Sequence, residues 1–168
     1  MKRKLVSLVL ATAMVTSSMM AMPVFASDDT AAEETAADET ADETPEANPE
    51  LADKKVGVCI YQFSDNFMTL FRGELESYLE ELGFSKDNIT IQDGANDQAT
   101  QSNQIDAFIA DGVDLLIINP VNSSSAESIT DKVVAANIPL VYINREPSED
   151  EEKRWEDNGW NVTYVGCD

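Results

Sequence analysis

The chain has 168 residues, 32 acids against 11 bases and no histidine. Its net charge of −21 repels phosphate backbones and excludes nucleic acid as a partner. The lack of histidine removes the commonest general base and the commonest metal ligand.

Residues 1–26, MKRKLVSLVLATAMVTSSMMAMPVFA, read as a secretory signal. Lys2, Arg3 and Lys4 give the positive start, an apolar run follows, and Val24-Phe25-Ala26 offers a small-residue cleavage site. A single membrane anchor is the competing reading, but Ser and Thr interrupt a run that is already short for a span. No cysteine stands at the end of the signal, so lipid attachment is not indicated. Residues 27–53 hold 11 acids, no base and one large aliphatic side chain, Leu51. Such a segment buries too little to offset its ordering entropy and is expected to be a disordered acidic linker. It serves either as a self-repelling spacer or as a solubilising tail. With 11 acids in the linker and 3 bases in the signal, residues 54–168 keep 21 acids and 8 bases, a net charge of −13. Their 115 residues suffice for one domain with a core.

Within that domain, strands and helices alternate. Val56–Ile60 is a continuous apolar strand. From Asn66 to Leu82, Phe67, Leu70, Phe71, Leu75, Tyr78, Leu79 and Leu82 fall at helical spacing, and Gly83 stops the helix. Ile89–Ile91 is a short strand. A second helix, 98–110, points Ile105, Phe108 and Ile109 inward and ends at Gly112. Asp114–Ile118 is a third strand. Ser123 is placed to cap a third helix carrying Ile129, Val133 and Ala136, which Asn137 and Pro139 close. Leu140–Ile143 is a fourth strand; a polar stretch with a helical turn or two leads to Val162–Val165. Strands buried on both faces and alternating with helices define an α/β doubly wound parallel sheet. In such sheets ligands bind beyond the carboxyl ends of the strands. Asp65 and Phe67 follow the first strand, Asn119 ends the third, and Asn144 and Arg145 end the fourth, so polar groups from three strand ends can converge on one crevice.

The turn after the first strand, Gln62-Phe63-Ser64-Asp65-Asn66, has no glycine and carries an acid, which excludes a phosphate-binding loop. Ser123, Ser124 and Ser125 begin a helix with no histidine to activate them and read as cap residues. The acid pairs Glu80-Glu81 and Glu151-Glu152 read as solvated helix faces. No loop has the alternating acid spacing of a calcium site. Cys59 and Cys167 lie in or beside apolar strand patterns and are expected as free thiols, buried or at strand ends, although export would permit a disulfide. A neutral polyhydroxylated ligand suits the remaining chemistry. A carboxylate such as Asp65 accepts from adjacent hydroxyls, an amide such as Asn144 both donates and accepts, and a ring such as Phe67 covers an apolar sugar face. Singly, each has a plainer role: helix cap, core residue and turn former.

These segments carry a resemblance. VGVCIYQFSDNFM, GANDQATQSNQID, GVDLLIINPV, IPLVYINREPS and YVGCD follow one another as in the galactose/glucose-binding proteins of sugar ABC transporters, in the ribose/galactose branch of the periplasmic binding proteins. Residues 55–168 resemble the N-terminal lobe of that family; the first and fourth segments are the specific ones. The resemblance implies that Asp65 and Phe67, from the family's D-N-F turn, bind hydroxyls and stack on the pyranose ring, and that Asn144, from its N-[KR]-E-P segment, hydrogen-bonds the sugar. It implies no cofactor, with calcium held in the second lobe of some members. The chain stops at Asp168, before that second lobe, and is read as a fragment of a longer protein.

The function implied is an exported, non-enzymatic binding protein, periplasmic or at the cell surface. It captures a hexose and delivers it to an ABC transporter permease; the same class also presents sugar to chemoreceptors. The alternative is a sugar sensor that signals to a chemoreceptor or a membrane histidine kinase without transport. A glycosidase is disfavoured because Asp65 stands without a paired acid. A sugar-responsive repressor would need a DNA-binding head where this chain has an export signal and an acidic run.

Overall fold

The computed structural model describes residues 46–166, which form one α/β unit. The signal, most of the acidic linker and Cys167 lie outside the described residues. Five parallel strands, β1 (Val56–Ile60), β2 (Ile89–Asp93), β3 (Leu115–Ile118), β4 (Leu140–Ile143) and β5 (Val162–Val165), make a single sheet in the order β2-β1-β3-β4-β5. The register sets Ile60 beside Asp93, Cys59 beside Ile118, Ile118 beside Tyr142 and Tyr142 beside Tyr164, so the carboxyl ends of all five strands meet one edge.

The connecting helices are α1 (Asn66–Leu82), α2 (Gln98–Asp111), α3 (Ala126–Ala135) and α4 (Glu149–Asn158). Right-handed crossovers in this strand order send α1 to one face and the other three to the opposite face. Two separate apolar clusters follow. Val56, Val58 and Ile60 of β1 pack with Met68 and Leu79 of α1. Cys59, Leu116, Ile118, Leu140 and Tyr142 pack with Ile105 and Phe108 of α2, Ile129 and Val133 of α3 and Trp155 of α4. Gly57 lies under the Phe108 ring; a β-carbon there would sit 2.7 Å from ring carbon Cγ, so glycine lets α2 press onto β1. Gly83 and Gly112 end α1 and α2 in the left-handed conformation, as their place in the sequence implies.

Four expectations need correction. The cap of the third helical segment is Asn122, whose side chain accepts from the Ser124 N–H, and Ser123–Ser125 form a 3-10 turn before α3. Asn122 can turn the chain after Pro120 and still present a short acceptor, which places it one residue earlier than the serine run suggested. Ala136 is exposed because α3 has already ended at Ala135. The polar stretch before β5 is a ten-residue helix, α4, with Ser148 as its cap. Its buried Trp155 and Glu151 hold it to the sheet face, whereas its sequence shows almost no apolar stripe. Glu151 is accordingly not on a solvated face. It is 5 % exposed and accepts from Trp155 Nε1 at 2.6 Å and from Arg154 Nε and Nη2 at 2.7 and 2.9 Å. Burial works to raise its pKa, but these donors outweigh it and hold the carboxyl below the ordinary glutamate value.

Residues 46–53, the last of the acidic linker, carry a 3-10 turn at Pro49–Leu51, and the Asn48 N–H donates to Leu82 O at 2.8 Å at the end of α1. Cys59 is a buried free thiol, as expected, with its pKa pushed up to about 12 by burial. No helix among the described residues is long and apolar enough to cross a membrane.

Candidate functional site

The candidate site is the edge where the strands end. After Ile60 the chain leaves β1 through Tyr61, which is buried, and turns into α1 at Asp65. Asp65 does cap that helix: its Oδ1 accepts from the Met68 N–H at 3.0 Å. Its other oxygen is used as well, since the Tyr61 hydroxyl donates to Oδ2 at 2.5 Å. The Tyr61 hydrogen bond, then the Met68 N–H, hold the Asp65 carboxyl below its ordinary pKa of 3.8. The same bond raises the Tyr61 phenol above 10. A carboxylate has about four acceptor sites, so these bonds leave Asp65 capacity for a further donor.

Phe67 sits in the first turn of α1 and is 59 % exposed. Helical spacing suggested a core residue; instead Met68 takes the inward position at 1 % exposure, and the Phe67 ring stands in solvent 6.0 Å from that of Phe71. Placing a bare ring there costs apolar hydration unless another surface covers it.

Asn144 ends β4 with φ of +63°, and the next N–H, of Arg145, donates back to Ile143 O at 2.7 Å. A left-handed residue inside so tight a three-residue turn is strained backbone of the kind that clusters at binding sites. The turn leaves the Asn144 side chain exposed, while its N–H donates to Val165 O in β5 at 3.1 Å. Arg145 turns inward. Its guanidinium lies 3.8 Å from the centroid of the Tyr61 ring, and Nη1 donates to Pro120 O and Val121 O at 3.2 and 2.6 Å.

Asn119 does not join the crevice. It is fully buried, and its Nδ2 lies 3.0 Å from Met68 Sδ. Gln101 of α2 explains its place: this buried amide donates to Asn119 O at 2.9 Å and accepts from the Val121 N–H at 2.9 Å, drawing the β3 end beneath the surface. The sequence reading also missed Asp93, at the end of β2, whose Oδ1 accepts from the Phe63 and Ala95 N–H groups at 3.0 and 2.8 Å and pins the β1 loop. An acid at a strand end, just before a glycine, was the available signal. The structure therefore places Asp65, Phe67 and Asn144 along one strand-end edge, with Asp65 tied through Tyr61 and Arg145 to the turn that holds Asn144. A cavity of about 640 Å³ lies beside this edge, between the starts of α3 and α4, lined by Ser123, Glu127, Glu146, Ser148 and Arg154.

A strand-end edge with an ionised acceptor, an exposed ring and a strained amide turn on a β2-β1-β3-β4-β5 sheet lies where doubly wound domains bind their ligands. The periplasmic binding protein domain matches residues 56–168, and the chain belongs to that family. It is 35 % identical over 117 residues to the D-galactose/methyl-galactoside binding periplasmic protein MglB of Haemophilus influenzae, covering 70 % of this chain and 34 % of that protein. It is 40 % identical over 92 residues to a putative rhizopine-binding protein of Rhizobium meliloti, covering 55 % of this chain and 29 % of the relative. Among solved structures, an ABC transporter solute binding protein from Bacillus halodurans with bound myo-inositol superposes with a TM-score of 0.51 at 31 % identity, covering 60 % of this chain and 34 % of that one. The chain thus spans about a third of the length of the curated relatives it matches.

Proposed function

We propose that this chain is the N-terminal lobe of an exported substrate-binding protein of a sugar ABC transporter. It takes a hexose of the galactose/glucose type between this lobe and a second one, and hands it to a membrane permease. Asp65, Phe67 and Asn144 supply this lobe's contacts. Asp65 accepts from adjacent hydroxyls, Phe67 covers the apolar face of the ring, and Asn144 both donates and accepts at the far side. The observation that carries the reading is the pairing, two residues apart, of a carboxylate kept ionised by its neighbours with a phenyl ring left in solvent. The work asked of the site is recognition and release, with no bond broken, and closure of two lobes excludes the water that would compete for these hydrogen bonds.

A second reading is a cyclic polyol in place of a hexose, supported by the likeness to the structure holding myo-inositol. Both are tested by calorimetric titration of the two-lobed protein with D-galactose, D-glucose, myo-inositol and D-ribose. Tight binding of a hexose supports the first reading, and preference for myo-inositol supports the second. Absence of binding to all four removes both.

A further inference from the structure

Asp65 and Asn144 follow the ends of different strands; the sheet register sets where those ends lie, but register alone does not link the two side chains. The structure supplies that link through two side chains to which no role has been given. Tyr61 is 8 % exposed, and its hydroxyl reaches Asp65 Oδ2 at 2.5 Å. The other side of the same ring is covered by the Arg145 guanidinium, 3.8 Å from its centroid. Arg145 follows Asn144 directly and is anchored by its two hydrogen bonds to the carbonyls of Pro120 and Val121. The β1 loop, the β3 end and the β4 turn are thus tied through one phenol ring.

We propose that Tyr61 is a positioning residue of the binding site, holding the Asp65 carboxylate in one orientation and linking it through Arg145 to the turn that presents Asn144. This rests on the reading of Asp65 and Asn144 as ligand contacts. The chemistry suits the task. The phenol occupies one acceptor site of Oδ2 and leaves Asp65 capacity for a sugar hydroxyl. A planar guanidinium over the ring resists rotation of the phenol and keeps a positive charge near the carboxylate. A phenylalanine would fill the same space and keep the stacking, but would free Asp65 to turn. The groups facing Asp65 are Tyr61 from the β1 end, the Met68 and Phe67 N–H groups from α1 and Arg145 from the β4 end. Asp93 of the β2 end is occupied by the Phe63 and Ala95 N–H groups.

The test is the titration of the Asp65 carboxyl by carbon NMR, in the whole chain without sugar, comparing wild type with Tyr61→Phe. The Asp65 midpoint is expected to move up towards the ordinary aspartate range while the fold is retained. Superimposable titrations overturn the proposal, because a merely space-filling tyrosine would leave the carboxyl unmoved. The reciprocal variant Asp65→Asn is expected to lower the Tyr61 phenol midpoint towards its ordinary value of 10. An unmoved phenol overturns the proposal even if Tyr61→Phe does not fold. In the two-lobed protein, Tyr61→Phe is expected to weaken hexose binding by roughly ten-fold near neutral pH and to shift the acid limb of binding to higher pH. An unshifted limb overturns the proposal. Failure of the wild type to bind any sugar would remove the functional reading separately, since the sugar-free titrations stand on their own.

Discussion

Asp65 caps a helix and is proposed to contact the sugar, and the two roles are separable. Its Oδ1 caps α1 and its Oδ2 takes the Tyr61 hydroxyl. Asp65→Ala is expected to lower the melting temperature by a few degrees, as a lost helix cap does, and to abolish measurable hexose binding. Asp65→Ser keeps a capping oxygen, so the melting temperature should recover while binding stays lost. Calorimetry and thermal unfolding read the two effects apart, and binding that survives in Asp65→Ser would remove Asp65 from the site. Asn144 separates in the same way. With φ of +63°, it occupies a conformation open to glycine, tolerated by asparagine and disfavoured for alanine. Asn144→Gly should therefore be as stable as wild type in urea unfolding, and Asn144→Ala less stable by about 1 kcal/mol. Both should weaken sugar binding at least several-fold; equal binding in Asn144→Gly would reduce Asn144 to a turn former.

At the scale of elements, legibility followed apolar patterning. The five strands and the helices α1 and α2 were readable because continuous apolar runs and a 3.6-residue period, each closed by glycine, point to one answer. Asp65, Phe67 and Asn144 stood out because a carboxylate, a ring and an amide at strand ends together suit a polyhydroxylated ligand and match the family's motifs, although each also has a structural role open to it. Tyr61 and Gln101 did not, and Arg145 was placed at a strand end without its partners, because their roles rest on contacts across 4 to 84 residues that spacing along one element cannot reveal. α4 was foreshortened for a related reason. It is held by one aromatic and one buried acid, Tyr142 stacking on Trp155 at 5.4 Å and Trp155 donating to Glu151. Glu151 gives this helix a pH signature. Its folded pKa is depressed, so its stabilising contribution is complete above the unfolded value near 4.5 and is lost as pH falls through the folded value. Glu152, beside it, is shifted the other way by burial and by the acids around it, and so offsets part of that loss. Glu151→Ala removes the acceptor of the Trp155 N–H and of Arg154 Nε, leaves Arg154 its bonds to Asp131 and the Glu127 carbonyl, and should cost about 2 kcal/mol at neutral pH. Glu151→Gln should flatten the dependence of unfolding free energy on pH in the acid range. A profile unchanged from wild type would mean that the buried network contributes nothing to α4.

For the whole molecule, the decisive geometry is that the proposed contacts lie along an open edge. Phe67 is more than half exposed, Asn144 is exposed, and Asp65 is only half-buried. Hydrogen bonds to a sugar on such a surface exchange one-for-one with water and gain little. The same bonds become worth more once a second wall removes the competing solvent and lowers the local dielectric. Ring stacking behaves alike, because a phenyl ring covered on one face only leaves the far side of the pyranose wet. The affinity should therefore be a property of two lobes, in proportion far greater than the doubling of contacts. Residues 46–168 alone are expected to bind galactose or glucose no tighter than about 1 mM, and the two-lobed protein about a thousand-fold tighter. Chemical-shift titration of the lobe and calorimetry of the two-lobed protein measure the two limits. In the lobe, the first signals to move with sugar should be those of Phe67 and Asn144. Micromolar binding by the lobe alone would show that this edge is a complete site and would end the closure mechanism.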